Sequence, residues 1–207
     1  MHLDEFTAFL LERPIVGILR GLKPDHTKEA VKTLWESGVS LLEIPLHSPT
    51  STLAFLESKK EKHSSKVFLG LGSVRNLDDY ALARELGADF LVGPNLNREV
   101  LEKARREGLC YIPGVLSPSE IAMVLDAGQH YMKLFPASIF GPAGISQLLD
   151  PFPEAKVIAV GGVSLENAPQ YLANGSAGVG IGKNLVSSLE RQDPTVGNIL
   201  QQLSTTF

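Results

Sequence analysis

A single (β/α)8 barrel is the fold this sequence predicts, and three observations predict it. Short apolar runs alternate with longer helical patterns from end to end. The runs recur about every 20–27 residues, the length of a strand, a loop and a crossover helix. Each run is nearly continuous in apolar residues, as strands are when helices cover a parallel sheet.

The runs are residues 14–20, 40–46, 67–72, 90–93, 109–113, 130–136, 156–160 and 177–181. Between them, residues 25–37, 77–86, 98–107 and 117–126 place apolar side chains near helical spacing. Ser117-Pro118-Ser119-Glu120 supplies a cap, a first-turn proline and an acidic residue at one helix start. Gly38, Gly87, Gly108, Gly128 and Gly175 each stand just before the next run, where a left-handed helix end is needed. An opening helix over residues 3–12 is expected to cap the bottom of the barrel. With 207 residues and no linker or low-complexity stretch, residues 1–207 read as one TIM-barrel domain. An open doubly wound sheet is the alternative. It would show a glycine-rich dinucleotide fingerprint after the first strand, and that strand ends in Leu19-Arg20-Gly21-Leu22.

Composition narrows the function. A net charge of −4 argues against holding nucleic acid by broad phosphate neutralisation. The densest basic group, Lys59, Lys60 and Lys62, is interrupted by Glu61 and reads as a solvated helix end. Cys110 is the single cysteine and lies in an apolar run, which marks a buried, inert thiol. The opening Met1-His2-Leu3-Asp4-Glu5 lacks a basic region followed by a long apolar one, and no stretch approaches a membrane span, so a soluble cytoplasmic protein is expected. The histidines His2, His26, His47, His63 and His130 have no ligand spacing, so no metal site is expected.

In a barrel, chemistry gathers at the C-terminal ends of the strands. In His130-Tyr131-Met132-Lys133-Leu134-Phe135-Pro136, alternation puts Tyr131, Lys133 and Phe135 on one face. If Met132 and Leu134 meet the helices, Lys133 points into the barrel. A free lysine has a pKa of about 10.4, so about one amine in 2,500 is neutral at pH 7. Desolvation by Phe135 and the wall is expected to raise that nucleophilic fraction. In Leu41-Leu42-Glu43-Ile44-Pro45-Leu46 the same alternation turns Glu43 inward. An inward amine and carboxylate suit proton transfer beside a covalent intermediate, and equally suit a buried salt bridge. Arg20, at the end of the first run, suits a carboxylate or phosphate clamp or a pair with Glu43. Gly161-Gly162 and Gly180-Ile181-Gly182 follow the last two runs, where barrels often bind phosphate through backbone N–H groups.

Taken together, these residues resemble the class I aldolases of 2-keto-3-deoxy-6-phosphogluconate and 2-keto-3-deoxy-6-phosphogalactonate. The carriers are Gly17-Ile18-Leu19-Arg20-Gly21, Leu42-Glu43-Ile44-Pro45-Leu46, Gly70-Leu71-Gly72-Ser73-Val74, Gly93-Pro94-Asn95, Pro113-Gly114, Lys133-Leu134-Phe135-Pro136-Ala137 and Ala159-Val160-Gly161-Gly162-Val163. The resemblance implies that Lys133 forms the Schiff base and that Glu43 is the general acid/base. It implies Arg20, Ser73 and Phe135 at the keto-acid end with Pro94 in the wall, and Gly161, Gly162, Gly180 and Gly182 at the phosphate. It also implies a homotrimer and no cofactor. The chain departs from the pattern at three positions. His47 stands where the gluconate-type enzymes carry an arginine, Ser73 replaces a usual threonine, and Lys183 replaces a usual serine. The wording of the motifs is closer to the galactonate branch. Two other readings fit the same barrel: a phosphosugar isomerase or synthase, and a non-catalytic barrel that binds a phosphate ligand.

Overall fold

The computed structural model describes residues 1–47, 51–60, 67–191, 193, 195–198 and 200; Glu61, Lys62 and His63 lie outside them. Helix α1 (Leu3–Glu12) precedes strand β1 (Ile15–Ile18), and the chain then alternates. It runs through α2 (Thr27–Glu36), β2 (Leu41–Pro45), α3 (Ser51–Lys60), β3 (Phe68–Gly72), α4 (Leu77–Glu85), β4 (Leu91–Val92) and α5 (Arg98–Glu107). Next come β5 (Tyr111–Ile112), β6 (Gly114–Val115), α6 (Pro118–Asp126), β7 (Tyr131–Leu134) and α7 (Gly141–Leu149). β8 (Lys156–Val160), α8 (Ala168–Ala173), β9 (Gly178–Ile181) and α9 (Lys183–Glu190) complete the order.

All pairings are parallel, in the order β5-β4-β3-β2-β1-β9-β8-β7-β6, a nearly closed barrel with helices outside. The sheet has nine strands where eight were expected, and the difference lies in the fifth run. Pro113 has no N–H to give a ladder, so pairing changes partner there, and a second short strand begins just past the run expected to end at residue 113. β5 pairs with β4, β6 pairs with β7, and the Pro113 carbonyl accepts from Lys133 N–H at 2.8 Å. The two edge strands are thus joined through one residue of chain.

Alternation along the strands separates two apolar layers. Leu42, Ile44, Met132, Leu134 and Ala159 pack among helix residues such as Leu34, Val124 and Ile145. Val16, Ile18, Leu41, Phe68, Val92, Ile112, Ile158 and Val160 pack with Phe6 and Leu10 of α1. The Phe6 and Phe90 rings meet edge-on at 5.1 Å. The helix ends follow the local signals. Ser117 and Glu120 form a reciprocal capping box, and all five glycines before strands take φ values between 65° and 97°. Lys60 pairs with Glu57, as a solvated helix end should, whereas Lys59 donates to the carbonyls of Leu86 and Gly87 beyond α4. Among the described residues no helix is long and apolar enough to cross a membrane.

A β-carbon at Gly70 would overlap the ring of Phe90, which is itself fully buried. Gly70→Ala is expected to cost about 1–3 kcal/mol by overpacking. Urea unfolding at an unchanged m-value should show the lower midpoint; an unaltered midpoint would mean the interior is looser than described.

Candidate active site

A cavity of about 560 Å3 opens at the C-terminal ends of β1, β2, β7, β8 and β9. Its wall collects Arg20, Glu43, Lys133, Phe135, Gly161, Gly162, Gly180 and Gly182, residues drawn from distant parts of the chain. Lys133 is 6% exposed and Glu43 2%. Both also border a small apolar void below the cavity, next to Phe6 and Ile112. No salt bridge joins Lys133 to Glu43, or Arg20 to Glu43, among the described residues. The salt-bridge readings of this pair and of Arg20 therefore find no contact. The Lys133 Nζ lies over the Phe135 ring, 5.0 Å from its centroid. That ring is 39% exposed, so it offers a polarisable face to a cation and only part of the shielding expected of it.

Glu43 needs space that glycine provides. A β-carbon on Gly72, at the end of neighbouring β3, would overlap the Glu43 carboxylate. Arg20 lies past the end of β1 in a turn and is exposed, not held within the strand. Ser73 and Pro94 are not in the cavity wall. Ser73 follows β3 with φ 63°, and Pro94 lies against Gly114, the register partner of Lys133. Lys183 and Asn184, in the first turn of α9, do line the cavity. The cavity therefore carries three cationic side chains, Arg20, Lys133 and Lys183, against one carboxylate. That balance favours a multiply charged anion.

Two residues beside the site escaped the sequence reading. Asp79, 7% exposed, accepts from Arg75 N–H at 2.9 Å and Arg75 Nε at 3.2 Å, and His47 Nε2 stands 3.0 Å away. The segment after β2 is thereby tied to the segment after β3. An aspartate in a first helical turn is ordinary, so nothing marked it. Asn167 bonds the turn after β8 at both ends, at 2.8 and 2.9 Å, and an asparagine before a helix reads as a simple cap. The signal in both cases was a polar residue in the loop or helix start just beyond a strand's C-terminal end. Burial pushes the Cys110 thiol far up, in keeping with an inert cysteine. Among the described residues no three histidine, cysteine or acidic side chains cluster as a metal site would require.

A parallel α/β barrel with a buried amine and carboxylate at its cation-rich mouth defines the class. The family follows from comparison with known proteins. Residues 7–201 match the family described as KDPG and KHG aldolase, and the chain belongs to it. A probable 2-dehydro-3-deoxy-6-phosphogalactonate aldolase of Rhizobium meliloti (strain 1021) is 34% identical over 198 residues, covering 95% of this chain and 91% of the relative. The 2-dehydro-3-deoxy-6-phosphogalactonate aldolase of Escherichia coli (strain K12) is 34% identical over 83% of this chain and 84% of its own. A solved 4-hydroxy-2-oxoglutarate/2-dehydro-3-deoxyphosphogluconate aldolase from TTHB1 superposes with TM-score 0.80 at 30% identity, over 96% of this chain and 98% of that one.

Burial alone would raise the Asp79 carboxyl, but the bonds from Arg75 and His47 outweigh it and hold it below its usual 3.8. A depressed folded value means that stability is present above the unfolded value and lost as pH falls through the folded one. Asp79→Asn should therefore lower the urea midpoint at pH 7, and its gap from wild type should close below about pH 4. A gap of equal size at pH 7 and pH 3 would show that charge is not what Asp79 contributes.

Proposed function

We propose that this chain is a class I aldolase that cleaves 2-keto-3-deoxy-6-phosphogluconate or 2-keto-3-deoxy-6-phosphogalactonate to pyruvate and glyceraldehyde 3-phosphate. One observation carries the reading. Lys133 and Glu43 are both buried, unpaired with each other, and open to the same cation-rich cavity. The named activities of the relatives support the substrate class.

The Lys133 amine adds to the C2 ketone to form a carbinolamine, and loss of water gives a protonated iminium. Glu43 carries protons in these steps. It then takes the C4 hydroxyl proton, the C3–C4 bond breaks, and its electrons pass to the iminium to form an enamine. Glyceraldehyde 3-phosphate leaves, C3 is protonated, and hydrolysis releases pyruvate and the free amine. The iminium is the electron sink, so the cycle as written uses no metal or organic cofactor. The Phe135 ring beside the Lys133 Nζ suits the positive charge that persists through the iminium.

Arg20 is assigned to the carboxylate, with Ser73 and Pro94 supporting that end of the site from behind the wall. Gly161, Gly162, Gly180 and Gly182 are assigned to the phosphate, with Lys183 adding charge beside them. Holding both ends fixes C2 against the amine. The same reading takes residues 1–207 as one (β/α)8 domain whose fifth strand is split at Pro113, with α1 capping the bottom. It takes the enzyme as a cytoplasmic homotrimer.

Borohydride with pyruvate should add one reduced pyruvyl group to the wild-type protein, read by mass spectrometry, and none to Lys133→Arg. No adduct on wild type, or an adduct persisting on Lys133→Arg, would end the assignment. Glu43→Gln should keep its fold and lose about 10²–10⁴ in turnover. A near-normal rate would remove Glu43 from proton transfer.

A further inference from the structure

The turn after β8 is held by hydrogen bonds from two residues outside the cavity wall, Ser138 and Asn167. Gly161 and Gly162 take φ values of 92° and 79°, a backbone region that side-chain-bearing residues rarely adopt. The Gly161 carbonyl accepts from Ser138 N–H at 3.0 Å, and the Gly162 carbonyl accepts from Asn167 Nδ2 at 2.9 Å. Both carbonyls are thus anchored to protein. A trans peptide is planar, with its N–H directed opposite to its C=O. Anchoring the two carbonyls therefore turns Gly162 N–H and Val163 N–H the other way. Neither donor has a protein acceptor among the described residues, and both residues line the cavity. The next donor, Ser164 N–H, is withdrawn from the cavity by the Asn167 Oδ1 at 2.8 Å.

Asn167 thus makes two bonds to one turn. It stands at the N-cap of α8, yet its side chain makes no capping bond to that helix. Its amide serves the turn instead, with the donor on Gly162 and the acceptor on Ser164.

We infer that Asn167 is a positioning residue for the distal, phosphate-bearing end of the substrate: by clamping Gly162 and Ser164, it presents Gly162 N–H and Val163 N–H to a dianion. The inference rests on the aldolase reading and is tested separately from it. The chemistry at Lys133 does not involve the clamp, so the two parts respond to different measurements.

Wild type, Asn167→Ala and Asn167→Asp would be compared in three assays: cleavage of the phosphorylated keto acid, inhibition by inorganic phosphate, and borohydride trapping of pyruvate. Asn167→Asp keeps the acceptor for Ser164 but loses the donor to Gly162, so it separates the clamp from the local fold. Both variants should raise KM for the phosphorylated substrate and the inhibition constant of phosphate by about tenfold, with kcat within about twofold. Pyruvate trapping should stay stoichiometric. Unchanged KM and phosphate inhibition, or equal losses in phosphate-dependent and pyruvate-only assays, would overturn the role of Asn167. Failure of wild type to trap pyruvate would instead overturn the aldolase reading.

Discussion

Side-chain alternation in a strand that is covered on both faces governs everything at this site. A parallel strand in a barrel gives one set of side chains to the helices and the other to the axis. The axis is apolar, so a charge placed there must lie where the interior meets the mouth. β2 and β7 each carry one such charge, Glu43 and Lys133, flanked by leucine, isoleucine and methionine turned toward the helices. Shifting either strand by one residue would bury the charge among the helices and turn an apolar side chain to the cavity. Register and chemistry are therefore under the same constraint, and core packing enforces both.

The constraint also explains several glycines on the strands around the site. An inward glutamate on β2 needs volume on β3, and Gly72 provides it; the same relation holds between Gly70 and Phe90. Past the end of the next strand, β4, the backbone of Pro94 and Asn95 occupies the place where a β-carbon of Gly114 would stand. Gly114 is the register partner of Lys133, so the loop after β4 packs against the residue of β6 that lies beside the amine's position on β7. The space left by the missing side chains at these glycines is filled by Phe90, by Glu43 and by the Pro94–Asn95 backbone.

Fold and site were legible in unequal measure. Periodicity located every strand but β6, which begins just past the fifth run, because a run that is apolar on both faces has few other homes in a chain of this length. It missed the split of the fifth strand, since Pro113 removes one donor without altering the apolar pattern. Alternation identified the inward faces of Glu43 and Lys133. It had no purchase on Ser73 or Pro94, which lie beyond strand ends, where direction depends on turn geometry. Asp79 and Asn167 were hidden for a related reason. Their partners are backbone and side-chain groups of loops, which no spacing rule connects.

What loops supply here is distance. The strand that bears Lys133 leads directly into the segment holding Ser138, and Ser138 N–H bonds the Gly161 carbonyl. The amine and the glycine turn are thus linked by five residues of chain and one hydrogen bond, in addition to the β7–β8 ladder. A substrate that forms an iminium at one end and meets the turn at the other must match that fixed span. Asn167 sets the far side of the same turn, bonding the carbonyl next to the one that Ser138 holds. Neither anchor touches Lys133 or Glu43, so each orients the turn without contacting the buried amine and carboxylate. In the proposed mechanism, chemistry thus belongs to the strands, and the hold on the substrate's far end to the two bonds that orient a pair of glycine peptides.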